Sequence, residues 1–347
     1  MPRAAEVKRG DQFDGFFRIR ELQERQTRAG KPYLDLQLED RTGCLPAKVW
    51  ELPEAVVGAV ERGDFVKVRA AGEDYQGAIQ LRVHKIRRIA EADRDAGFRE
   101  EDCVQSTAYD VDLMWEEFRR IAQSCHPVVA GLLLSILDEY AERLRGWPAS
   151  QRIHHAYVGG LLEHTLSVTK TCIYLASKYE GISRDLLIAG AILHDIGKIE
   201  ELSPVAGTHY TAEGRLLGHL VLGRDIVREH ARRLGNLPGE FLLHLEHLIL
   251  AHQGMPEWGT VRMPMTPEAL LLHYADDIDA KFNVVQTAIR QDRGEEDFTS
   301  NQNILRRYLF KLRPLLPALP EEPLAPMPGP GGPVPGDAPA PPEDGTF

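Results

Sequence analysis

Hydrophobic and polar residues alternate with period two through most of the first 90 positions. In YLDLQLED, Leu34, Leu36 and Leu38 alternate against Tyr33, Asp35 and Gln37. After the turn sequence DRTG the alternation resumes in CLPAKVW, with Leu45, Ala47 and Val49 on one face. GDFVKVRA (Val66, Val68) and AIQLRVHKI (Ile79, Leu81, Val83) repeat it, and FFRIREL supplies an earlier candidate. This is the pattern of strands buried on one face. About five strands in roughly 80 residues predict a small all-β Greek-key barrel of the OB type, with an SH3-like barrel as the alternative.

Beyond about residue 105 the period changes to that of amphipathic helices. The spacing predicts helices over 110–124, 127–144, 156–179, 184–196, 213–234, 239–252, 267–290 and 300–313. The chain therefore reads as multidomain: a barrel over 1–90, a charged linker over 91–105 and an all-α domain over 106–315. Twelve of the 23 prolines fall in the last 34 residues. That density suits neither helix nor central strand, and 316–347 is expected to be a disordered Pro-rich tail.

Charge refines this division. The whole chain has 52 acidic against 41 basic side chains, which argues against a general nucleic-acid binder. Residues 1–90 nevertheless hold 17 basic and 14 acidic groups, net +3, leaving 24 and 38, net −14, for the rest. A mildly basic barrel precedes an acidic body. Cys44, Cys103, Cys125 and Cys172 form no CxxC pair, so neither a zinc ribbon nor a disulfide framework is expected. No apolar run approaches membrane-spanning length and the first residues lack a signal-like apolar stretch, so a cytoplasmic protein without membrane partners is expected.

The candidate chemistry lies in the helical part, where twelve of the 13 histidines fall between residues 126 and 273. His164 sits among Leu161, Leu162 and Val168; His194 and Asp195 end an apolar run just before Gly197 and Lys198. His219 closes EGRLLGH, His252 closes HLILAH, and Asp276 lies in HYADDIDAK. Each alone reads as a satisfied core group. Together they demand neutralisation, because a buried unpaired carboxylate is costly, and a shared metal is the more economical explanation. Imidazole nitrogens together with carboxylate oxygens favour a borderline cation such as Mn, Co, Fe, Ni or Zn over Mg.

The order His164, His194-Asp195, Asp276 resembles that of the metal-dependent phosphohydrolases of the HD superfamily. RIHHAYVGGLLEHTLSV, LLIAGAILHDIGKIEEL, EGRLLGHL and HYADDIDAK extend the likeness to bacterial YhaM-type 3′-to-5′ exoribonucleases, over roughly residues 10–312. That family also places an OB-type domain before the HD domain. The resemblance implies one or two divalent ions, Mn first among them, held by His164, His194, Asp195 and Asp276. His219 and His252 then serve a second metal or a phosphate. Where the family reads Ser-His-His-Gly this chain reads AHQG, with Gln253 in place of a histidine. Among Asp276, Asp277 and Asp279 the motif position selects Asp276 as ligand. Asp279, on the same helix face, is assigned to orienting a histidine.

The implied chemistry is attack of a metal-activated water on a phosphodiester of single-stranded RNA, with single-stranded DNA left open. Asp195 is the central catalytic group. Lys198 either neutralises developing phosphoryl charge or is an ordinary helix-end lysine. His154 and His155 either contact substrate or pack. On the barrel, alternation places Tyr33, Lys48, Trp50, Phe65, Lys67 and Arg69 opposite the buried positions. Rings and cations on one face can stack bases and follow a phosphate backbone. The same face could be an interdomain or homo-oligomer surface. The rival readings are an HD phosphohydrolase of nucleotides or cyclic dinucleotides, and a degenerate regulatory binder for which Gln253 is the support.

Overall fold

The computed structural model describes residues 1–50, 59–75, 78–151, 153–204, 208–292, 294, 296–301 and 303–311. The expected Pro-rich tail, 316–347, lies outside them. The period-two segments form β1 (Gln12–Gln26), β2 (Pro32–Asp40), β3 (Gly43–Val49), β4 (Phe65–Tyr75) and β5 (Ala78–Arg88). These close into a barrel of order β1-β2-β3-β5-β4, with β1 pairing both β2 and β4 and a parallel contact between β3 and β5. That Greek-key closure is the OB arrangement rather than the SH3-like one. The DRTG turn is fixed by Asp40, whose Oδ1 accepts from the Thr42 backbone N–H at 2.7 Å and from Gly43 at 3.2 Å. Phe17, Leu36, Leu38, Leu81 and the other alternate apolar residues fill the interior.

The segment 91–105, expected to be a linker, packs on the barrel instead. It contains α1 (Ala92–Asp95), with Asp93, Phe98 and Cys103 buried. Asp93 accepts hydrogen bonds from Arg87 at 2.6 and 2.8 Å and from Lys67 at 3.3 Å, and Phe98 meets the Phe16 and Phe65 rings edge-on. A charge-rich composition read as solvated is thus spent on specific pairs.

The helical part comprises α2 (Val111–Gln123), α3 (Pro127–Glu139), α4 (Ala141–Gly146), α5 (Gly160–Lys178), α6 (Arg184–Leu193), α7 (Lys198–Glu201), α8 (Ala212–Leu234), α9 (Gly239–Ala251) and α10 (Pro267–Gln291). Two-residue strands β6 (Leu202–Ser203) and β7 (His209–Tyr210) pair between α7 and α8. The single helix expected over 127–144 breaks at Tyr140, and the one expected from 156 begins only after Gly159, which is left-handed at φ 78°. α6 is buried on every side from Leu186 to Leu193, as a central core helix must be.

The helix expected over 300–313 is absent from the described residues there. Asn303 Nδ2 donates to the Ser300 and Arg307 carbonyls, Thr299 N–H donates to Leu309 O, and Arg306 takes a φ of 50°. Side-chain bonds to the backbone compete with helical ones, and here they win. All four cysteines are free, and no helix among the described residues is long and apolar enough to cross a membrane.

Candidate metal centre and barrel face

Five helical segments bring imidazoles and carboxylates to one buried point. α5 supplies His164, the end of α6 supplies His194 and Asp195, α8 supplies His219, the end of α9 supplies His252, and α10 supplies Asp276. His164, His194, Asp195 and His252 are essentially inaccessible to solvent. α8 reaches the site through a kink at Gly218, whose φ of 74° and ψ of 158° break the helix one residue before His219.

The proton positions on the four imidazoles follow from their partners. His194 Nδ1 lies 2.8 Å from the Ala191 carbonyl and His252 Nδ1 lies 2.8 Å from the Ile249 carbonyl. A carbonyl only accepts, so each Nδ1 carries the proton and each Nε2 keeps a lone pair. His164 Nδ1 faces Asp279 Oδ2 at 2.7 Å and His219 Nδ1 faces Glu201 Oε1 at 3.0 Å, so those two rings also place Nδ1–H on an acceptor. All four Nε2 atoms therefore point inward at the carboxylates.

Asp195 divides the centre into two halves. Its Oδ2 lies 3.4 Å from His164 Nε2 and 3.3 Å from His194 Nε2, and Asp276 Oδ1 lies 3.2 Å from His164 Nε2. Its Oδ1 lies 3.6 Å from both His219 Nε2 and His252 Nε2. That Oδ1 is buried with no hydrogen-bond partner among the described residues. The Nε2 atoms of His164 and His194 are 3.3 Å apart. Imidazole nitrogens that close, beside Asp195 Oδ2 and Asp276 Oδ1, fit a cation held among them, and the orphaned Oδ1 faces the other two imidazoles. His164, His194 and Asp276, and separately His194, Asp195 and His252, offer ligand atoms close enough to hold one ion each. Gln253 stands in the second half, its Nε2 3.2 Å from His252 Nε2 and 3.5 Å from His219 Nε2.

Charge in the centre is strongly skewed. Burial alone would push the His164 imidazole down, but its bonds to Asp195, Asp276 and Asp279 hold it well above the usual range. Burial would raise the Asp195 carboxyl, yet the Lys198 ammonium and His194 keep it well below. Lys198 is buried with Nζ 2.6 Å from Asp195 Oδ2, so it is no ordinary helix-end lysine. His154 is pushed down to about 3 by burial and by the Lys198 charge, and its neutral ring lies 5.4 Å from that of His164.

His155 is buried at φ 44°, with Nε2 3.0 Å from Asp279 Oδ2 and Nδ1 2.8 Å from the Tyr157 hydroxyl. Both ring nitrogens are engaged within the protein, and the ring steadies the carboxylate that orients His164. Sequence reading also passed over Glu201, which accepts from both the backbone N–H and the Nδ1 of His219 at 3.0 Å. Its signal was an acidic residue three positions after Lys198 beside an apolar run. Asp277 is turned away and pairs with Lys281 at 2.8 Å. Replacing Asp279 with asparagine is expected to lower metal affinity about 10- to 100-fold by releasing the His164 ring. Metal titration followed by calorimetry checks this, and unchanged affinity would overturn the orienting role.

On the barrel, Tyr33 and Trp50 stack with centroids 4.7 Å apart and planes at 29°, and Lys48 Nζ lies 5.4 Å over the Tyr33 ring. Lys48 also pairs with Asp35 at 2.6 Å. Trp50 stays 39% exposed, leaving ring surface free. Lys67 and Arg69 belong to β4, which is adjacent to neither β2 nor β3. Lys67 is held by Asp93 and lies 5.3 Å over the Phe16 ring, while Arg69 grips Asp14 at 2.7 and 2.9 Å. The face expected from alternation is therefore split in two. Between the barrel and the helical part, Arg20 donates to the Gln151 carbonyl at 3.2 Å and Arg62 to the Thr208 carbonyl at 2.8 Å.

A closed OB-type barrel followed by a helical domain with this His/Asp centre defines an HD-domain protein. The HD domain family matches residues 161–281, and the TraI_2 family matches 100–180. The chain is 33% identical over 283 residues to the 3′-5′ exoribonuclease YhaM of Geobacillus sp. (strain WCH70), covering 81% of this chain and 86% of that protein. It is 32% identical to the protein of the same name from Bacillus subtilis (strain 168), covering 81% and 89%. The chain belongs to the YhaM family. Among solved structures, the second OB-fold domain of replication protein A from Methanococcus maripaludis matches at 18% identity and a TM-score of 0.22, covering 26% of this chain and 95% of that one.

Proposed function

We propose that this protein is a metal-dependent 3′-to-5′ exoribonuclease acting on single-stranded RNA. The observation that carries the metal is the buried Asp195 Oδ1, partnerless between His219 and His252 on one side of a carboxylate whose Oδ2 faces His164 and His194. His164, His194, Asp195 and Asp276 would hold one divalent ion, and Asp195 with His219 and His252 a second. The nitrogen and oxygen donors favour Mn, Fe, Co, Ni or Zn, with Mn the first to test. When bound, such an ion polarises a phosphoryl oxygen and acidifies water. The chain itself orients each imidazole through its Nδ1 partner, which leaves Nε2 as the nitrogen turned toward the carboxylates. Lys198 holds positive charge beside Asp195, where a phosphoryl oxygen gains negative charge in an in-line displacement. The neutral His154 ring, partly exposed next to His164, is the imidazole placed to touch the strand.

The polarity of degradation and the choice of RNA come from membership of the YhaM family and from the printed activity of its relatives. A time course on 5′-end-labelled single-stranded RNA, with metal removed and Mn restored, tests the reading. A ladder of strands shortened from the 3′ end is expected, and the same course with single-stranded DNA decides that alternative. Internal fragments, or mononucleotide hydrolysis without strand shortening, would overturn it.

The Tyr33–Trp50 pair is the proposed strand-binding platform of the barrel, with Lys48 beside it. Trp50→Ala is expected to weaken binding of long single strands by about 1–3 kcal/mol while sparing cleavage of a small phosphodiester. Fluorescence anisotropy with labelled RNA, beside a chromogenic diester assay, separates the two effects. Equal losses in both would place Trp50 at the metal centre's service rather than the strand's. Lys48, Lys67 and Arg69 each have a carboxylate partner, in Asp35, Asp93 and Asp14, and are proposed to add only a small salt-dependent phosphate contribution.

A further inference from the structure

The carboxamide of Gln253 lies against both imidazoles of the second half. Its Nε2 is 3.2 Å from His252 Nε2 and 3.5 Å from His219 Nε2. His252 settles which way the amide is turned. That ring donates from Nδ1 to the Ile249 carbonyl, so its Nε2 accepts, and an amide oxygen there would set lone pair against lone pair. The amide therefore presents an N–H group to the nitrogen that an ion in this half must take.

The backbone holds the side chain in that place. The turn after α9 is closed by Gly254 N–H, which donates to Ala251 O at 2.9 Å, and by Met255 N–H, which donates to Gln253 O at 3.0 Å. His273 of α10 donates from Nδ1 to the His252 carbonyl at 2.8 Å. Its ring packs so tightly on Gly254 that a Cβ there would come within 2.2 Å of it, and Gly254 itself is left-handed at φ 79°. Gln253 is thus aimed by a buried contact between α9 and α10 and not by the chance rotamer of a loose surface chain.

The two halves are unequal in donors. The first has the Nε2 atoms of His164 and His194 with Asp195 Oδ2 and Asp276 Oδ1. Lys198 shares Asp195 Oδ2, but Asp276 adds a second carboxylate on that side. The second half has two imidazoles and only Asp195 Oδ1. An amide N–H is a donor and cannot ligate a cation, so an ion entering there has to break the bond from Gln253.

We propose that Gln253 determines the order of metal loading by competing with the second ion for His252 Nε2, so that the first half fills before the second. The proposal rests on the reading of this centre as a metal site and adds the residue that makes its halves unequal. One buried hydrogen bond lost on loading weakens the second ion by about threefold to tenfold.

Calorimetric titration of Mn(II) into the metal-stripped full chain, with electron paramagnetic resonance on the same samples, provides the test. Two classes of site are expected, the second about tenfold or more weaker because it has fewer charged donors. The signal of a spin-coupled Mn pair should grow only as the weaker class fills. Asp276→Asn is expected to weaken the tighter class, which assigns that class to the first half. Gln253→Met keeps the length of the side chain and removes its donor, and Gln253→Ala removes both. Each is expected to tighten the weaker class about threefold to tenfold and to leave the tighter class unchanged. A parent that binds one ion, with variants that gain a second, supports the proposal equally. Two equal classes in the parent, an Asp276→Asn that weakens only the looser class, or Gln253 variants whose second class is absent, unchanged or weaker overturns it. Those results leave the metal reading standing, whereas a parent that binds no Mn overturns both.

Discussion

Asp195→Asn is expected to reduce RNA hydrolysis on the order of a thousandfold or more, because it removes the carboxylate whose two oxygens face the two halves of the proposed centre. The amide keeps the volume of the carboxylate but cannot supply its charge to either half. Metal content after dialysis should fall together with activity. The variant also strips the buried Lys198 ammonium of its 2.6 Å partner. Breaking a buried pair from one side costs about 3–5 kcal/mol, so a lower melting temperature should accompany the loss. Asp276→Asn separates these effects, since it leaves the Lys198–Asp195 contact in place while withdrawing a ligand from the first half. Both variants should still bind long RNA, which is proposed to rest on the barrel. Near-normal turnover by Asp195→Asn at limiting metal would falsify the assignment of the centre.

The second large effect is expected from a residue with no chemistry of its own. A Cβ on Gly197 would stand 2.0 Å from the His219 carbonyl oxygen and 2.5 Å from the Gly223 backbone nitrogen. Both obstacles are main-chain atoms of α8, so no side chain can swing aside to relieve the overlap. Gly197→Ala must therefore push α8 from the start of α7, carrying His219 away from Asp195. Overpacking of this kind costs about 1–3 kcal/mol or more. Occupancy of the second half-site should fall further than that of the first, since His164, His194 and Asp276 lie on other helices. Gly239→Ala is the control, because nothing lies within 4 Å of a Cβ built there. At a site that accepts the side chain, such a change is neutral or stabilising by about 0.4–1 kcal/mol. Thermal melts and metal titrations of the two variants, side by side, decide the matter; similar behaviour would show that the α7–α8 approach is slack.

How much of this was legible in the sequence depends on whether the controlling interaction is local. Strand alternation is local, and Leu34, Leu36 and Leu38 point inward as their spacing requires. Helical periodicity is local as well, which is why α5, α6, α9 and α10 stand close to their expected spans. The same reasoning fails where side chains compete with the backbone, as at Asn303 and Thr299, since a hydrophobic pattern carries no record of those bonds. It fails again for residues 91–105, where a run of charges gives no hint that Asp93 will be gripped by Lys67 and Arg87.

Periodicity along the chain specifies a barrel followed by helices, and the motifs single out His164, His194, Asp195, His219, His252 and Asp276 as groups needing a shared partner. What each of them faces depends on how the helices pack. Asp279 reaches His164 across 115 residues and His155 across 124, and Glu201 reaches His219 across 18. These contacts set which ring nitrogen carries a proton, and chain closure between distant helices creates them. The barrel obeys the same rule. Alternation puts Tyr33, Lys48, Trp50, Lys67 and Arg69 on one nominal face, but a closed barrel has no single outer face. Strand order sends Tyr33 and Trp50 into a stack on one side and leaves Lys67 and Arg69 with carboxylates on another, because neighbours in a barrel are fixed by hydrogen-bond register and not by position along the chain.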